Sequence, residues 1–145
     1  MFEGMLETDA SNVVAQTLLA ATCLHSGDFA RAEQLYREAN TRHPDLSIGL
    51  CGLAVTLAYA GRVVEADEAR KSLLALSEKT FVSPYQFAMV DCALGDDHAA
   101  LAALERAASA HDFNFLCSAV DPTFDRLHGS PGWLALMRRY GLPPD

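Results

Sequence analysis

The sequence predicts an all-α protein, a solenoid of three helical hairpins plus a C-terminal cap, and three observations carry that prediction. Glycines recur at a constant interval of 34 residues, at Gly27, Gly61 and Gly95. Side-chain size recurs in the same register: Leu19, Leu53 and Phe87 form one column, Ala20, Ala54 and Ala88 the next, and Ala32, Ala66 and Ala100 another. Between the glycines, apolar residues are spaced by three and four, the period of a helix face.

Each repeat reads as a helix, a tight turn at the glycine and a second helix returning antiparallel. Helices are expected over 9–26, 29–42, 45–60, 63–79, 84–94 and 97–110, which places the repeats at about 11–44, 45–78 and 79–112. In the second helix of the first repeat, Phe29, Ala32, Leu35, Tyr36 and Ala39 form the apolar stripe, and Arg31, Glu33, Arg37 and Glu38 face away. The alanine columns let paired helices approach closer than the usual separation of about 8–10 Å. A further column holds Ala39, Leu73 and Ala107, and Pro44, Glu78 and Asp112 fall where each unit ends. Asp45 and Ser83 are the expected N-caps, with Pro84 at a tolerated first-turn position. After Asp112 the period is lost. Residues 113–145 read as a cap: a short helix, a turn opened by Pro122 with Asp121 as its N-cap, and a terminal helix from about Ser130 to Tyr140. A solenoid needs such a cap because its last repeat otherwise exposes an apolar face. The chain, 1–145, reads as one domain.

These columns resemble the tetratricopeptide repeat family, whose period is 34. In the first unit Leu19, Ala20, Gly27, Phe29, Ala32, Tyr36, Ala39 and Pro44 all satisfy the family pattern. The chain departs from it at Gln16 and Cys23, where the family often has tryptophan and tyrosine, and at Arg70, where an aromatic is usual. Asp91 faces the expected inter-helix core. The blocks "VSPYQFAMVDCALGDDHAALAALERA" and "VDPTFDRLHGSPGWLALMRRYGL" further resemble the end of the repeat region at the C-terminus of many bacterial signalling proteins. There the repeats follow a winged-helix, cyclase or kinase domain, none of which is in this sequence. The resemblance, over residues 45–143, implies a regulatory module.

Composition narrows the partners. Half of the 145 residues are apolar, enough for a buried core, and 11 basic against 19 acidic residues give a net charge of −8. That balance repels nucleic acid and anionic lipid, so protein partners are expected. The start, "MFEGMLETDAS", is acidic where a secretory signal needs a basic flank, and no run reaches the length of about 20 apolar residues that spans a bilayer. A cytoplasmic setting without membrane insertion is expected. Cys23, Cys51, Cys92 and Cys117 form no C-x-x-C pair and read as reduced thiols in apolar surroundings.

Chemistry is sparse. His25, His43, His98, His111 and His128 are scattered, none at the spacing of a metal or hydrolase motif. His98 follows Asp96 and Asp97 at a helix start, where carboxylates cap amides. Asp121, Asp125 and His128 form the densest polar cluster, with Asp121 placed to cap. No phosphate loop or nucleophile elbow is present, and Arg138 and Arg139 complement the carbonyl end of the terminal helix. Neither catalytic residues nor a metal or cofactor are expected.

What the repeats offer is a surface. The first helix of each hairpin is apolar nearly all round and must be covered on more than one face. In the tetratricopeptide arrangement one of those faces lines a concave groove. The residues falling there are Val14, Thr17, Ala21 and Leu24, then Ile48, Cys51, Val55, Ala58 and Tyr59, then Val82, Tyr85, Met89 and Cys92. This lining lacks the lysine and asparagine with which family members clamp acidic C-terminal peptides. The expected function is a non-enzymatic scaffold holding an apolar or helical segment of a partner protein, in signalling or regulation. The alternatives are a small secretion-type chaperone and a self-association unit, a homodimer; the groove is then open, or covered by the terminal segment or a second copy.

Overall fold

The computed structural model describes residues 10–112, 115, 118 and 121–142, and every regular element among them is a helix. In chain order these are α1 (Ala10–Ser26), α2 (Phe29–Arg42), α3 (Ser47–Tyr59), α4 (Val63–Ser77), α5 (Pro84–Ala93), α6 (Asp97–Ser109), a 3-10 helix (Pro122–Leu127) and α7 (Pro131–Arg139). The ends match the expected ones to within a residue or two. The extreme amino terminus, Cys117 and most of the short helix expected after Asp112 lie outside the described residues. The chain forms two compact units, Met1–Val82 and Ser83–Asp145.

The recurring glycines end the first helix of each hairpin. Gly27, Gly61 and Gly95 all have φ between +83° and +90°, where a Cβ would be strained. In each case the next amide reaches five residues back: Asp28 N–H to the Cys23 carbonyl, Arg62 to Leu57 and Asp96 to Asp91, all at 2.9 Å. These are Schellman closures, which satisfy carbonyls that the helix end leaves open. The residue making that bond is also the N-cap of the next helix. Asp28 accepts from Arg31 N–H at 3.2 Å and Asp96 from Ala99 N–H at 3.0 Å. A glycine and one short acidic residue therefore make the whole turn.

In the first unit α1 pairs with α2 and α3 with α4, and the hairpins join through α2 against α3. That junction is close because of two glycines. A Cβ on Gly52 would stand 2.1 Å from the Tyr36 ring, and one on Gly49 2.9 Å from the Asn40 backbone nitrogen. Ala20, Ala32, Ala54 and Ala66, from the small-residue columns, are fully buried. Gln16 is buried too, and its amide donates to the Leu35 carbonyl and to Glu38, both at 3.1 Å. One expected cap is absent: α3 starts at Ser47 after Leu46, which offers no side-chain acceptor, so Asp45 lies too early to cap it.

In the second unit α5 pairs with α6, the 3-10 helix packs on α5, and α7 packs on α6. Trp133, Phe124, Leu127 and Met137 fill this core. Phe124 stacks on Trp133 at 6.4 Å between centroids and meets Tyr85 edge-on at 5.4 Å. Ser83 caps α5 as expected, accepting from Tyr85 N–H at 3.1 Å. Its hydroxyl also donates to Asp112, tying the start of this hairpin to its end.

The period is not lost at Asp112, contrary to the sequence expectation. Gly129 lies 34 residues after Gly95 and has φ +87°, and Ser130, in the column of Asp28 and Asp96, accepts from Trp133 N–H at 3.3 Å. The glycine and cap columns thus continue into the terminal segment. The size column does not, because Pro122 stands in the column of Ala20, Ala54 and Ala88. Without an N–H, and with its ring against the preceding turn, proline cannot stand in mid-helix. The chain restarts there, with Asp121 accepting from Thr123 N–H at 3.0 Å.

Candidate protein-binding surface

Helices α1 and α3 contain no Asp, Glu, Lys or Arg. Such helices have no charged stripe to turn toward water, so whichever face the neighbouring helices leave open is apolar. Of the residues assigned to the groove from the sequence, Val14, Ile48 and Tyr59 are exposed, at 57%, 43% and 38%. Ala21, Ala58 and Met89 are half-buried. Thr17, Leu24, Cys51, Val55, Val82, Tyr85 and Cys92 are buried.

In the first unit, Val14 and Ile48 are repeat equivalents and lie at a shallow hollow of about 190 Å³, walled by Val13, Thr17, Leu46 and Ser47 as well. Thr17 is buried without loss because its hydroxyl donates to the Val13 carbonyl at 2.9 Å. Several exposed apolar residues of this unit lie outside the sequence assignment: Val63, Val64 and Leu74 on α4, Phe81 beyond it, and two that adjoin the assigned positions. Leu18, 51% exposed, follows Val14 by four positions on the same helix face, and that spacing was the available signal. Leu46, 44% exposed, precedes α3 and carries no periodic signal.

In the second unit the cap supplies part of the cover. Tyr85 shares a column with Thr17 and Cys51, all three buried, and its ring lies under Phe124 while its hydroxyl donates to Asp121 Oδ2 at 2.8 Å. Cys92 donates to the Thr123 carbonyl at 3.1 Å, and burial pushes its thiol up to about 12, which keeps it protonated and inert at neutral pH. The 3-10 helix therefore occupies the part of the α5 face that these two residues form. Covering by the terminal segment, one of the two states weighed for the groove, holds at these positions.

Charge is concentrated on the second helices. In the first unit Glu33 accepts from Arg37 and from Arg62, the latter at 2.6 Å, and Arg62 also grips Glu65 at 2.6 Å. The Arg62 guanidinium holds both carboxyls below their usual range, and their bonds raise its own pKa, that to Glu65 most. Arg62 stands in the N-cap column of Asp28 and Asp96, where it makes no capping bond. Instead it pairs with Glu65 in the first turn of α4 and with Glu33 of α2.

In the densest polar cluster of the cap two of the three side chains have packing or capping contacts. Asp121 caps the 3-10 helix and holds Tyr85, while His128 lies over Trp133 at 4.6 Å between ring centroids. Asp97, beside His98, pairs with Arg126 at 2.9 Å. Among the described residues no three His, Cys, Asp or Glu side chains converge as a metal ion would require, and no helix is long and apolar enough to cross a membrane. Comparison of the chain with protein-family models, characterised proteins and solved structures yields no match.

Proposed function

We propose that the chain is a non-enzymatic interaction module of tetratricopeptide type, whose first unit holds an apolar or helical segment of a partner protein in a cytoplasmic signalling or regulatory setting. The observation that carries this reading is the exposure of Val14, Leu18 and Ile48 on two helices that bear no Asp, Glu, Lys or Arg. Scattered apolar residues are ordinary on a surface, but a contiguous patch at a concavity marks recognition. Val14 and Leu18 offer anchors one helical turn apart, the spacing at which an amphipathic helix is gripped. Tyr59 supplies an aromatic edge of the kind that dominates binding when desolvated. With no formal charge on these helices, affinity is set by apolar burial and changes little between low and moderate salt.

Partner capture by variants tests the reading. Val14→Asp and Ile48→Asp should each abolish capture of the partner crosslinked by a photoreactive residue at position 18. Val64→Asp, at an exposed position on α4, should leave it intact. Equal capture by all three variants would remove the first-helix face from the binding site.

A further inference from the structure

The outward stripe of the second helices changes character along the chain. In α2 the stripe is Glu33, Gln34 and Arg37, and in α4, 34 residues on, it is Asp67, Glu68 and Lys71. Each is closed by its own ion pair, Glu33 with Arg37 at 2.9 Å and Asp67 with Lys71 at 3.1 Å. At the same register α6 has Leu101 and Ala102, both half-buried, and Glu105, and α7 has Ala135 and Arg139 exposed beside the buried Leu136. The two stripes face a common cleft of about 340 Å³ in the second unit. Its helices run parallel: Leu101 lies over Gly132, Glu105 meets Arg139 at 2.6 Å, and Ser109 sits beside Tyr140.

The geometry points to this cleft as the interface for a second copy of the chain. A two-fold axis along the cleft lays α6 of one copy over α7 of the other at equal height, with the paired equivalents Glu105 and Arg139 setting the register. Leu101 of each copy then covers Ala135 of the other, large on small, and Leu136 forms the floor beneath Ala102. Glu105 of each copy falls on Arg139 of the other, so the two intramolecular pairs join into an alternating ring of four charges. Both side chains are more than half exposed, at 51% and 64%, so the existing pair is weak and open to a second partner. This self-complementarity is what a two-fold contact demands. It also allows association despite a net charge of −8, because the interface itself is neutral. The charged stripes of α2 and α4 have no such property: Asp67 and Glu68 would meet Glu33 and Gln34. Two short helices per copy make a small interface, so the association is reversible and concentration-dependent.

The inference stands apart from partner binding by the first unit, and sedimentation velocity on the full chain tests it. The wild type should approach twice its mass of 15.7 kDa as concentration rises through the micromolar range. Ala135→Glu buries a carboxylate against Leu101 and should remain monomeric there. Glu105→Arg sets arginines against Arg139 and should weaken dimerisation by about tenfold or more. The double swap Glu105→Arg/Arg139→Glu restores the ring and should restore the dimer. Circular dichroism and melting of each variant separate these effects from unfolding. A wild type that stays monomeric, folded variants that dimerise equally, a swap that folds but does not recover, or dimerisation lost through Val14→Glu instead would each overturn the proposal.

Discussion

The two compact units are built from the same kind of hairpin and differ in what covers its first helix. In the first unit the apolar first helices reach the surface at Val14, Leu18 and Ile48, while the second helices carry ion pairs centred on Arg62. In the second unit the first helix lies under the 3-10 segment at Tyr85 and Cys92, and the apolar surface moves to the cleft between α6 and α7. Column residues build the hairpin in both cases. What covers a hairpin is decided by the element that follows it, and in the second unit that element is the 3-10 helix opened by Pro122. A repeat's internal pattern therefore says how it folds, and its neighbour says which face remains for a partner.

Four kinds of substitution break this comparison at different depths. The largest effect is expected for Trp133→Ala, which empties the centre of the second core and should cost about 3–5 kcal/mol. Amide exchange should show α5 to α7 losing protection. Gly52→Ala is expected next. Its Cβ would overlap the Tyr36 ring, so the α2–α3 junction must part at a cost of about 3 kcal/mol, read as a lowered melting temperature. If both variants melted like the wild type, neither core would be as described.

Capping separates the turns more finely. Asp28→Ala, Asp96→Ala and Ser130→Ala should each cost about 1 kcal/mol in denaturant unfolding. Arg62→Ala in the same column removes no capping bond, and its smaller effect should vanish at high salt because the pairs it breaks are exposed. Its pH dependence has a definite sign. Glu33 and Glu65 are lowered in the folded state from an ordinary value of 4.5, so their contribution is complete above that value and fades as the pH falls through the lowered ones. Acid titration of wild type against Arg62→Ala should show the difference shrinking below about pH 4. At the end of α6, His111 holds φ 56° where the other Schellman turns have glycine, and His111→Gly should stabilise by about 1 kcal/mol.

Most of the fold was legible because it rests on local rules. Glycine at a left-handed turn, alanine at a close approach and Asp or Ser at a cap are read from neighbouring letters, and the helix ends follow. The recurring turn at Gly129 and Ser130 was legible too, but Pro122 interrupts the size columns and hides it. The binding surface was less legible. Periodicity shows that α1, α3 and α5 have a second apolar face, and cannot show that Phe124 lands on Tyr85, a contact between residues 39 positions apart in sequence. Leu46 was missed because it lies outside any helix, and Asp45 was misplaced as a cap because its carboxylate precedes the helix start by two residues.

The central claim is that the first-helix surface is open at Val14 and Ile48 in the first unit, whereas Cys92 lies under the 3-10 helix in the second, and thiol labelling under native conditions measures it most directly. Val14→Cys and Ile48→Cys, each in a background with the native cysteines replaced by alanine, are compared with a chain keeping only Cys92. The account predicts that the thiols introduced at positions 14 and 48 react at the rate of an exposed thiol, and that Cys92 reacts only as fast as the second unit unfolds. Native-state labelling of Cys92 as fast as that of the two engineered thiols, or protection of those thiols in a chain shown to be monomeric, would contradict it.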